Sequence, residues 1–143
     1  MPRTPDENII RACKRAIAYD FIVSLPDGFD TDVGEAGGRF SSGQRKRIAI
    51  AQTLINDPPV ILMDEPTSDL DSTAEAQFVA SMKELAKDHT VIMVTHSPVV
   101  LKQCDGIVVM DKGRVALAGP ADAVLPKIGF AKASTAEGQG EQP

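Results

Sequence analysis

The chain of 143 residues has little of several features that define whole classes of protein. No apolar run approaches the roughly 18 residues that a transmembrane helix requires, so we expect no membrane span. The first residues lack the apolar segment of a secretory signal, which favours a cytosolic location. Only two cysteines are present, Cys13 and Cys104, and they form neither a C-x-x-C pair nor a dense pattern. The sequence therefore predicts reduced, partly buried thiols rather than a disulfide framework.

Basic charge is also scarce. Lys and Arg together number 15 against 20 acidic residues, which gives a net charge of −5. This balance disfavours the broad positive field of a nucleic-acid binder, so we expect no nucleic-acid partner. The three basic side chains at residues 45–47 would point in different directions around a helix. We interpret them as a solvated face. His89 matches no motif, and we expect it at the surface.

The most informative segment is the run VILMDEP at residues 60–66, in which an apolar stretch ends in two adjacent carboxylates. The run predicts a short strand that is buried on both faces, as in parallel sheets. Open α/β sheets bind ligands at the carboxyl ends of their strands. Asp64 and Glu65 would lie there, where one carboxylate can hold a metal while the next orients water. A solvated acidic turn is the alternative.

A second segment, FSSGQ at residues 40–44, opens a predicted helix over residues 45–55. Small residues at a helix N-terminus make an anion site, because unpaired amides and the positive end of the helix dipole face the ligand. The acidic strand follows, and then a second apolar strand over residues 91–96 that ends in His96. The three segments in this order strengthen the prediction of an anion-binding site.

These segments resemble the nucleotide-binding domain of ABC transporters. Residues 40–44 are similar to the LSGGQ signature, 60–65 to the Walker B strand, 68–71 to the D-loop, and His96 to the switch histidine. Residues 31–37 resemble the exporter-specific X-loop, so the resemblance points to export, and within exporters to type I secretion ATPases. It implies an α/β fold: part of the P-loop NTPase fold, a mostly parallel sheet with helices, and part of a helical signature subdomain.

The resemblance also implies roles for single residues. Glu65 would be the general base and His96 would sense the γ-phosphate, while Asp64 would hold Mg²⁺. Glu35, in the X-loop, would contact the transmembrane domain of an exporter at the cytoplasmic face of the inner or plasma membrane. The residues expected to bind ATP across a dimer of two nucleotide-binding domains are Ser41, Ser42, Gly43, Gln44 and Asp71.

The phosphate loop G-x-x-x-x-G-K-[ST] is missing, because no Gly in the chain is followed by Lys. The family needs this motif to hold the β- and γ-phosphates. We therefore expect the carboxyl-terminal half of a cassette, inactive alone, with the missing half as a partner. The expected parts are a helical and signature subdomain at 5–57, the second half of the catalytic core at 58–130, and a disordered tail at 131–143.

Three positions depart from the family pattern. Ser42 replaces a glycine of the signature, Phe40 replaces its leucine, and Ala36 replaces an X-loop arginine. Three functions stay open: an ATP-hydrolysing part of an exporter, a non-catalytic module that pairs with and regulates a complete cassette, and an ABC-type ATPase outside transport. The X-loop-like segment and the acidic charge argue against the third.

Helix-start patterns complete the prediction. Residues 4–7 combine a capping threonine, a proline and a glutamate, which predicts a helix that runs to Val23. The pattern STAE at 72–75 predicts a second helix that is capped by Ser72 and ends near Ala86. Ser97-Pro98 predicts a short helix. Apolar segments on both sides of Asp111-Lys112-Gly113 predict a hairpin.

Overall fold

The computed structural model describes residues 6–36, 38 and 40–130. The predicted tail at 131–143 lies outside these residues. The described chain is α/β, as predicted, and it divides into two compact units, one that ends at Ser97 and one that begins at Pro98. The predicted boundary between residues 57 and 58 falls inside the first unit and remains a prediction.

The first unit alternates helices with two strands. Its helices and strands in the described residues are α1 (Glu7–Arg15), α2 (Tyr19–Val23), a 3-10 helix (Gly28–Asp30), α3 (Val33–Ala36), α4 (Ser42–Leu54), β1 (Val60–Asp64), α5 (Ser72–Leu85) and β2 (Thr90–Val94). β1 and β2 pair in parallel, as their separation by a helix predicts. The carboxyl ends of both strands therefore lie side by side.

The core of this unit lies where α1, α4 and α5 meet the inner face of β1. Ile61 is 1% exposed and Leu85 is fully buried, and small residues of α1 let the helices approach closely. The buried core residues of this unit are Ala12, Cys13, Ala16, Ala18, Ala51, Leu54, Ile61, Phe78, Met82 and Leu85. This core fixes both strands against the helices, and so fixes the strand ends that carry the candidate site.

The other face of the two strands is open. The register places Leu62 beside Ile92 and Asp64 beside Val94, and Leu62, Ile92 and Val94 are 73%, 53% and 59% exposed. The prediction that β1 is buried on both faces is therefore wrong. The physical reason is that the described helices of this unit pack against the opposite face of the strands. Three apolar side chains of neighbouring strands are therefore exposed together on this face.

The predicted continuous helix up to Val23 is also wrong. α1 ends at Arg15, and α2 begins at Tyr19. Ile17 adopts the left-handed conformation, with a φ of 56°, and the amides of Ile17 and Ala18 donate to the carbonyls of Lys14 and Cys13. This is a Schellman ending without its usual glycine. The cap of α1 is Asp6, which accepts from the amide of Asn8; the predicted cap Thr4 lies outside the described residues.

The second unit is a hairpin with short helices. Its helices and strands in the described residues are α6 (Pro98–Leu101), β3 (Gly106–Asp111), β4 (Arg114–Pro120), α7 (Ala121–Val124) and a 3-10 helix (Leu125–Ile128). β3 and β4 pair antiparallel. The turn uses Lys112 and Gly113, both with positive φ, which suits the right-handed twist of a two-residue hairpin. The predicted hairpin and the predicted short helix are confirmed.

Candidate functional site

The acidic loop, residues 64–71, begins where β1 ends. The backbone amide of Glu65 donates to the carbonyl of Val94 at 2.8 Å, which extends the ladder between the strands by one bond. Glu65 itself has a φ of 44°. A left-handed conformation is uncommon for a residue with a side chain and recurs at functional sites. The chain therefore turns sharply at the residue that the family resemblance predicts to be the base.

His96 follows β2 by two residues and lies beside this turn. Its Nε2 atom is 3.4 Å from Oε1 of Glu65. The imidazole is 93% exposed and the carboxylate 36%, so both groups can be reached from solvent. The distance is longer than that of a charge-assisted hydrogen bond, which is about 2.7–2.9 Å. The two groups are neighbours that leave room for adjustment around a ligand.

A hydrogen bond supports the loop that carries His96. The hydroxyl of Ser97 donates to Oε1 of Glu75 at 2.5 Å, and the amide of Ser97 donates to Oγ1 of Thr95 at 3.0 Å. Glu75 lies in the first turn of α5. The loop after β2 is thus tied to a helix of the core, which limits how far His96 can move from Glu65.

Asp64 ends β1 beside Val94 and is exposed. Its carboxylate makes no hydrogen bond or ion pair with another described residue, so its oxygens are available. No group of three or more His, Cys, Asp or Glu that could hold a metal occurs in the described part of the chain. Mg²⁺ typically takes one or two carboxylates and completes its shell with phosphates and water. Asp64 fits that requirement as a single protein ligand.

The signature segment, residues 40–44, begins α4 as predicted. The hydroxyl of Ser41 accepts from the amide of Gln44 at 3.1 Å, and the side-chain oxygen of Gln44 accepts from the amide of Ser41 at 2.9 Å. This is a capping box. Sequence reasoning missed it, although the pattern S-x-x-Q is a signal for it. The box occupies two of the amides that were expected to face an anion.

Gly43 lies against the acidic loop. A β-carbon at this position would approach Cδ2 of Leu70 to 2.7 Å, closer than two carbon atoms can lie. The absence of a side chain therefore lets α4 approach the loop. Ser42, which stands where the family has another glycine, is the first residue of α4.

The prediction of a solvated face at residues 45–47 is wrong for Lys46 and Arg47, which are half-buried, whereas Arg45 is exposed. Arg45 donates to the carbonyl of Phe40 and Arg47 to the carbonyl of Ile17. Lys46 contacts the acidic loop, donating to the carbonyl of Glu65 and to the hydroxyl of Ser68. Because the three side chains fan around the helix, each reaches a different segment. The sequence predicts that the three side chains point in different directions around the helix. It does not predict which groups they contact.

Lys46 also pairs with Asp69, at 3.2 Å. The hydroxyl of Ser42 and then the ammonium of Lys46 lower the pKa of Asp69 below its ordinary value. The Ser42 hydroxyl is buried and reaches no described acceptor with good hydrogen-bond geometry, so its effect on Asp69 is that of a nearby dipole. Asp69 was not predicted as a site residue.

Asp71 caps α5. Its carboxylate accepts from the amide of Ala74 at 2.7 Å, so the predicted cap Ser72 is wrong and becomes the first helical residue. The acidic side chain at this position also suits the positive end of the helix dipole. The role of Asp71 at a dimer seam remains a prediction.

Two further predictions concern residues away from the acidic loop. His89 is 8% exposed, so its predicted surface position is wrong. Its ring nitrogens lie 3.1 Å from the carbonyl of Leu85 and 2.9 Å from Oδ1 of Asp57, and these partners compensate for its burial. Glu35 lies in α3, and its side chain is outside the described part.

Comparison with known proteins identifies the family of this chain. The sequence model of the family described as ABC transporter matches residues 3–68. The ABC multidrug transporter MDR2 of Trichophyton interdigitale is 50% identical over 115 residues, which cover 80% of this chain and 9% of that protein. The chain belongs to the ABC transporter family. The matched residues of the family model include the signature segment and Glu65, whereas His96 lies beyond them.

Other members of the ABC transporter family match a similar share of the chain. The ABC multidrug transporter atrD of Emericella nidulans is 43% identical over 125 residues, which are 87% of this chain and 9% of that protein. The structure of a bacterial Atm1-family ABC exporter with ATP bound is 38% identical, with a TM-score of 0.76, over 87% of this chain and 22% of that one. The chain thus spans about a tenth of the fungal relatives. Among its described residues, no helix has both the length and the apolar character needed to cross a bilayer.

Proposed function

We propose that this chain supplies the general base, the metal carboxylate and the signature segment of an ATP-hydrolysing cassette in an ABC exporter. The observation that carries the proposal is the pairing of Glu65 with His96, 3.4 Å apart at the ends of two parallel strands. A carboxylate and an imidazole at such an edge are suited to handle the proton of an attacking water.

Glu65, His96 and Asp64 have separate roles in ATP hydrolysis. Glu65 accepts the proton of the water that attacks the γ-phosphorus of ATP, because its carboxylate is solvent-accessible and held by the turn at its own backbone. His96 donates a hydrogen bond to a γ-phosphate oxygen and keeps Glu65 oriented. Asp64 holds Mg²⁺, which when bound neutralises charge on the phosphate oxygens.

The signature segment acts on a second nucleotide. Ser41 and Gly43 contact the γ-phosphate that is held by a second nucleotide-binding domain, and Ser42, Gln44 and Asp71 line the same seam. The partners are this second domain, a half that carries the phosphate loop, and a transmembrane domain at the cytoplasmic face of the membrane, which Glu35 contacts. Two ABC multidrug transporters and a bacterial Atm1-family ABC exporter of similar sequence support a place for this chain in such a transporter.

A cassette reconstituted by co-expression of this chain with a phosphate-loop half tests the proposal. Three quantities are compared: nucleotide affinity, ATP-dependent dimerisation and phosphate release. Asp64→Asn should weaken Mg²⁺ coordination and thereby lower the rate of phosphate release. Ser41→Arg should block dimerisation and leave nucleotide binding of the single cassette intact. Phosphate release at the unmutated rate in both variants would exclude this site.

A second function is a non-catalytic module that pairs with a complete cassette and regulates it. The observation that favours it is the lack of any Gly-Lys pair in the sequence, since the family holds its phosphates with that motif. The reconstitution separates the two functions. A module of this kind would change the turnover of a complete cassette and would not restore turnover to a phosphate-loop half.

A further inference from the structure

We propose that Lys46 is a positioning residue that fixes the backbone of Glu65 and couples it to the start of the signature helix α4. The inference rests on the proposed function, because it assigns Lys46 a part in the reaction of the same site. It goes beyond the motifs, since sequence reasoning assigned Lys46 to a solvated face. The geometry of three contacts carries it.

The ammonium of Lys46 has one acceptor for each of its hydrogens. Nζ lies 3.0 Å from the carbonyl oxygen of Glu65, 2.7 Å from Oγ of Ser68 and 3.2 Å from Oδ2 of Asp69. A lysine ammonium has three N–H donors and no acceptor, so these contacts use its whole capacity. The side chain is 28% exposed. An ordinary surface ion pair contributes little, but this ammonium also bonds the main chain.

The main-chain bond falls at the strained residue of the loop. Glu65 has a φ of 44°, and such a conformation persists when the surroundings hold it. Its amide is fixed by the carbonyl of Val94, and its carbonyl accepts from Lys46 and also from the hydroxyl of Ser68. Both sides of the residue are therefore fixed. The carboxylate of Glu65 is thus directed toward His96 by a bond that comes from α4.

This bond links two parts of the site. α4 begins with the signature segment at Ser42, and Lys46 lies in its second turn. A displacement of the start of α4 on contact with a second cassette would move Nζ of Lys46, and with it the carbonyl of Glu65. Lys46 therefore transmits the engagement of the signature segment to the candidate base without touching nucleotide or water.

The test compares Lys46→Met with Lys87→Met. Methionine keeps the length of the side chain and removes the ammonium. Lys87 is the matched control, because its ammonium pairs with Glu84 one turn earlier on an exposed surface. The first measurement is amide hydrogen exchange of the full chain at Ser68 and Leu70, whose amides donate within the acidic loop. We expect about tenfold faster exchange in Lys46→Met, since a hydrogen bond to a charged group contributes that much, and no change in Lys87→Met.

The second measurement is ATP turnover of the reconstituted cassette. We expect Lys46→Met to lower kcat about tenfold or more and to leave KM unchanged, because a misdirected base slows the chemical step and not binding. Lys46→Arg keeps the charge but replaces the compact ammonium with a planar fork. It should recover the melting temperature and only part of kcat. If Lys46 only stabilised the fold, Lys46→Met would not lower kcat at an unchanged KM.

The outcomes distinguish this inference from the proposed function. Unchanged exchange in Lys46→Met overturns the inference, and so does unchanged kcat in an active cassette. If the unsubstituted cassette does not hydrolyse ATP, the proposed function fails. The exchange experiment then decides alone whether Lys46 fixes the loop.

Discussion

Nε2 of His96 lies 3.4 Å from Oε1 of Glu65, although the two residues stand 31 positions apart in the chain. The parallel register of β1 and β2 is the cause, because it places Asp64 beside Val94 and thereby aligns the residues that follow both strands. A carboxylate and an imidazole therefore meet at the edge where α/β sheets bind ligands.

The first prediction concerns Glu65 as the base. In the reconstituted cassette, Glu65→Gln should keep ATP binding and lower turnover by about 10²–10⁴-fold, because an amide can hydrogen-bond water but cannot accept its proton. Phosphate release and nucleotide affinity are measured in parallel. Release at the unmutated rate would contradict the assignment, and His96 would become the next residue to test.

The second prediction concerns the chain by itself. Without a phosphate loop it should neither bind Mg-ATP tightly nor hydrolyse it, since the groups that hold the β- and γ-phosphates in this family are absent from its sequence. Isothermal titration with Mg-ATP is the measurement. Micromolar affinity together with measurable turnover would show that the described site is sufficient.

The third prediction concerns the open face of the first sheet. Leu62 and Ile92 lie side by side there and are mostly exposed, so the isolated chain should self-associate. The double substitution Leu62→Thr, Ile92→Thr keeps β-branched or strand-forming side chains and removes apolar surface. Sedimentation velocity should show a shift toward monomer.

The matched control for that face is Ile61→Thr, one residue away on the same strand. Ile61 is 1% exposed, so the hydroxyl would be buried and the chain should lose about 1–3 kcal/mol of stability without becoming less associated. A monodisperse, cooperatively melting monomer of the unsubstituted chain would contradict the prediction.

Much of the site was predictable because its signals are local. The apolar run before Asp64 and the apolar run before His96 predict two strands, and a helix between them predicts parallel pairing. The small residues before Gln44 predict a helix start. The family resemblance, carried by the same residues, then agrees with the matched family. Each of these signals lies within a few consecutive residues.

What could not be predicted depends on contacts between distant segments. Ile17 ends α1 in a left-handed conformation without a glycine, and its carbonyl accepts a hydrogen bond from Arg47, 30 residues away. The burial of His89 depends on Asp57, 32 residues away. The exposure of Leu62 depends on which elements cover the sheet. None of these is encoded in a local pattern.

The fourth prediction concerns the acid dependence of the loop. The Ser42 hydroxyl and the Lys46 ammonium lower the pKa of Asp69 in the folded chain. A lowered pKa contributes stability that is fully present above the ordinary aspartate value of about 3.9 and is lost as the pH falls through the folded value. The difference in melting temperature between the unsubstituted chain and Asp69→Asn should therefore shrink from about pH 7 to about pH 3. In a Lys46→Met background the difference at neutral pH should be smaller.

The fifth prediction separates the two histidines of the chain. His89 is buried and bonds the carbonyl of Leu85 and the carboxylate of Asp57, so His89→Ala should lower the free energy of unfolding by about 1–3 kcal/mol. The side chain of His96 is 93% exposed, so His96→Ala should change it by less than about 0.5 kcal/mol. Urea unfolding of the chain measures both.

In the reconstituted cassette, His96→Ala should lower ATP turnover more than His89→Ala does. His96→Ala should lower turnover at unchanged stability, because the imidazole that contacts Glu65 is lost. His89→Ala should lower turnover only as far as it lowers the folded fraction. Equal effects of the two substitutions on the free energy of unfolding would contradict the predicted difference between a buried and an exposed histidine. Equal effects on turnover per folded molecule would contradict the role assigned to His96.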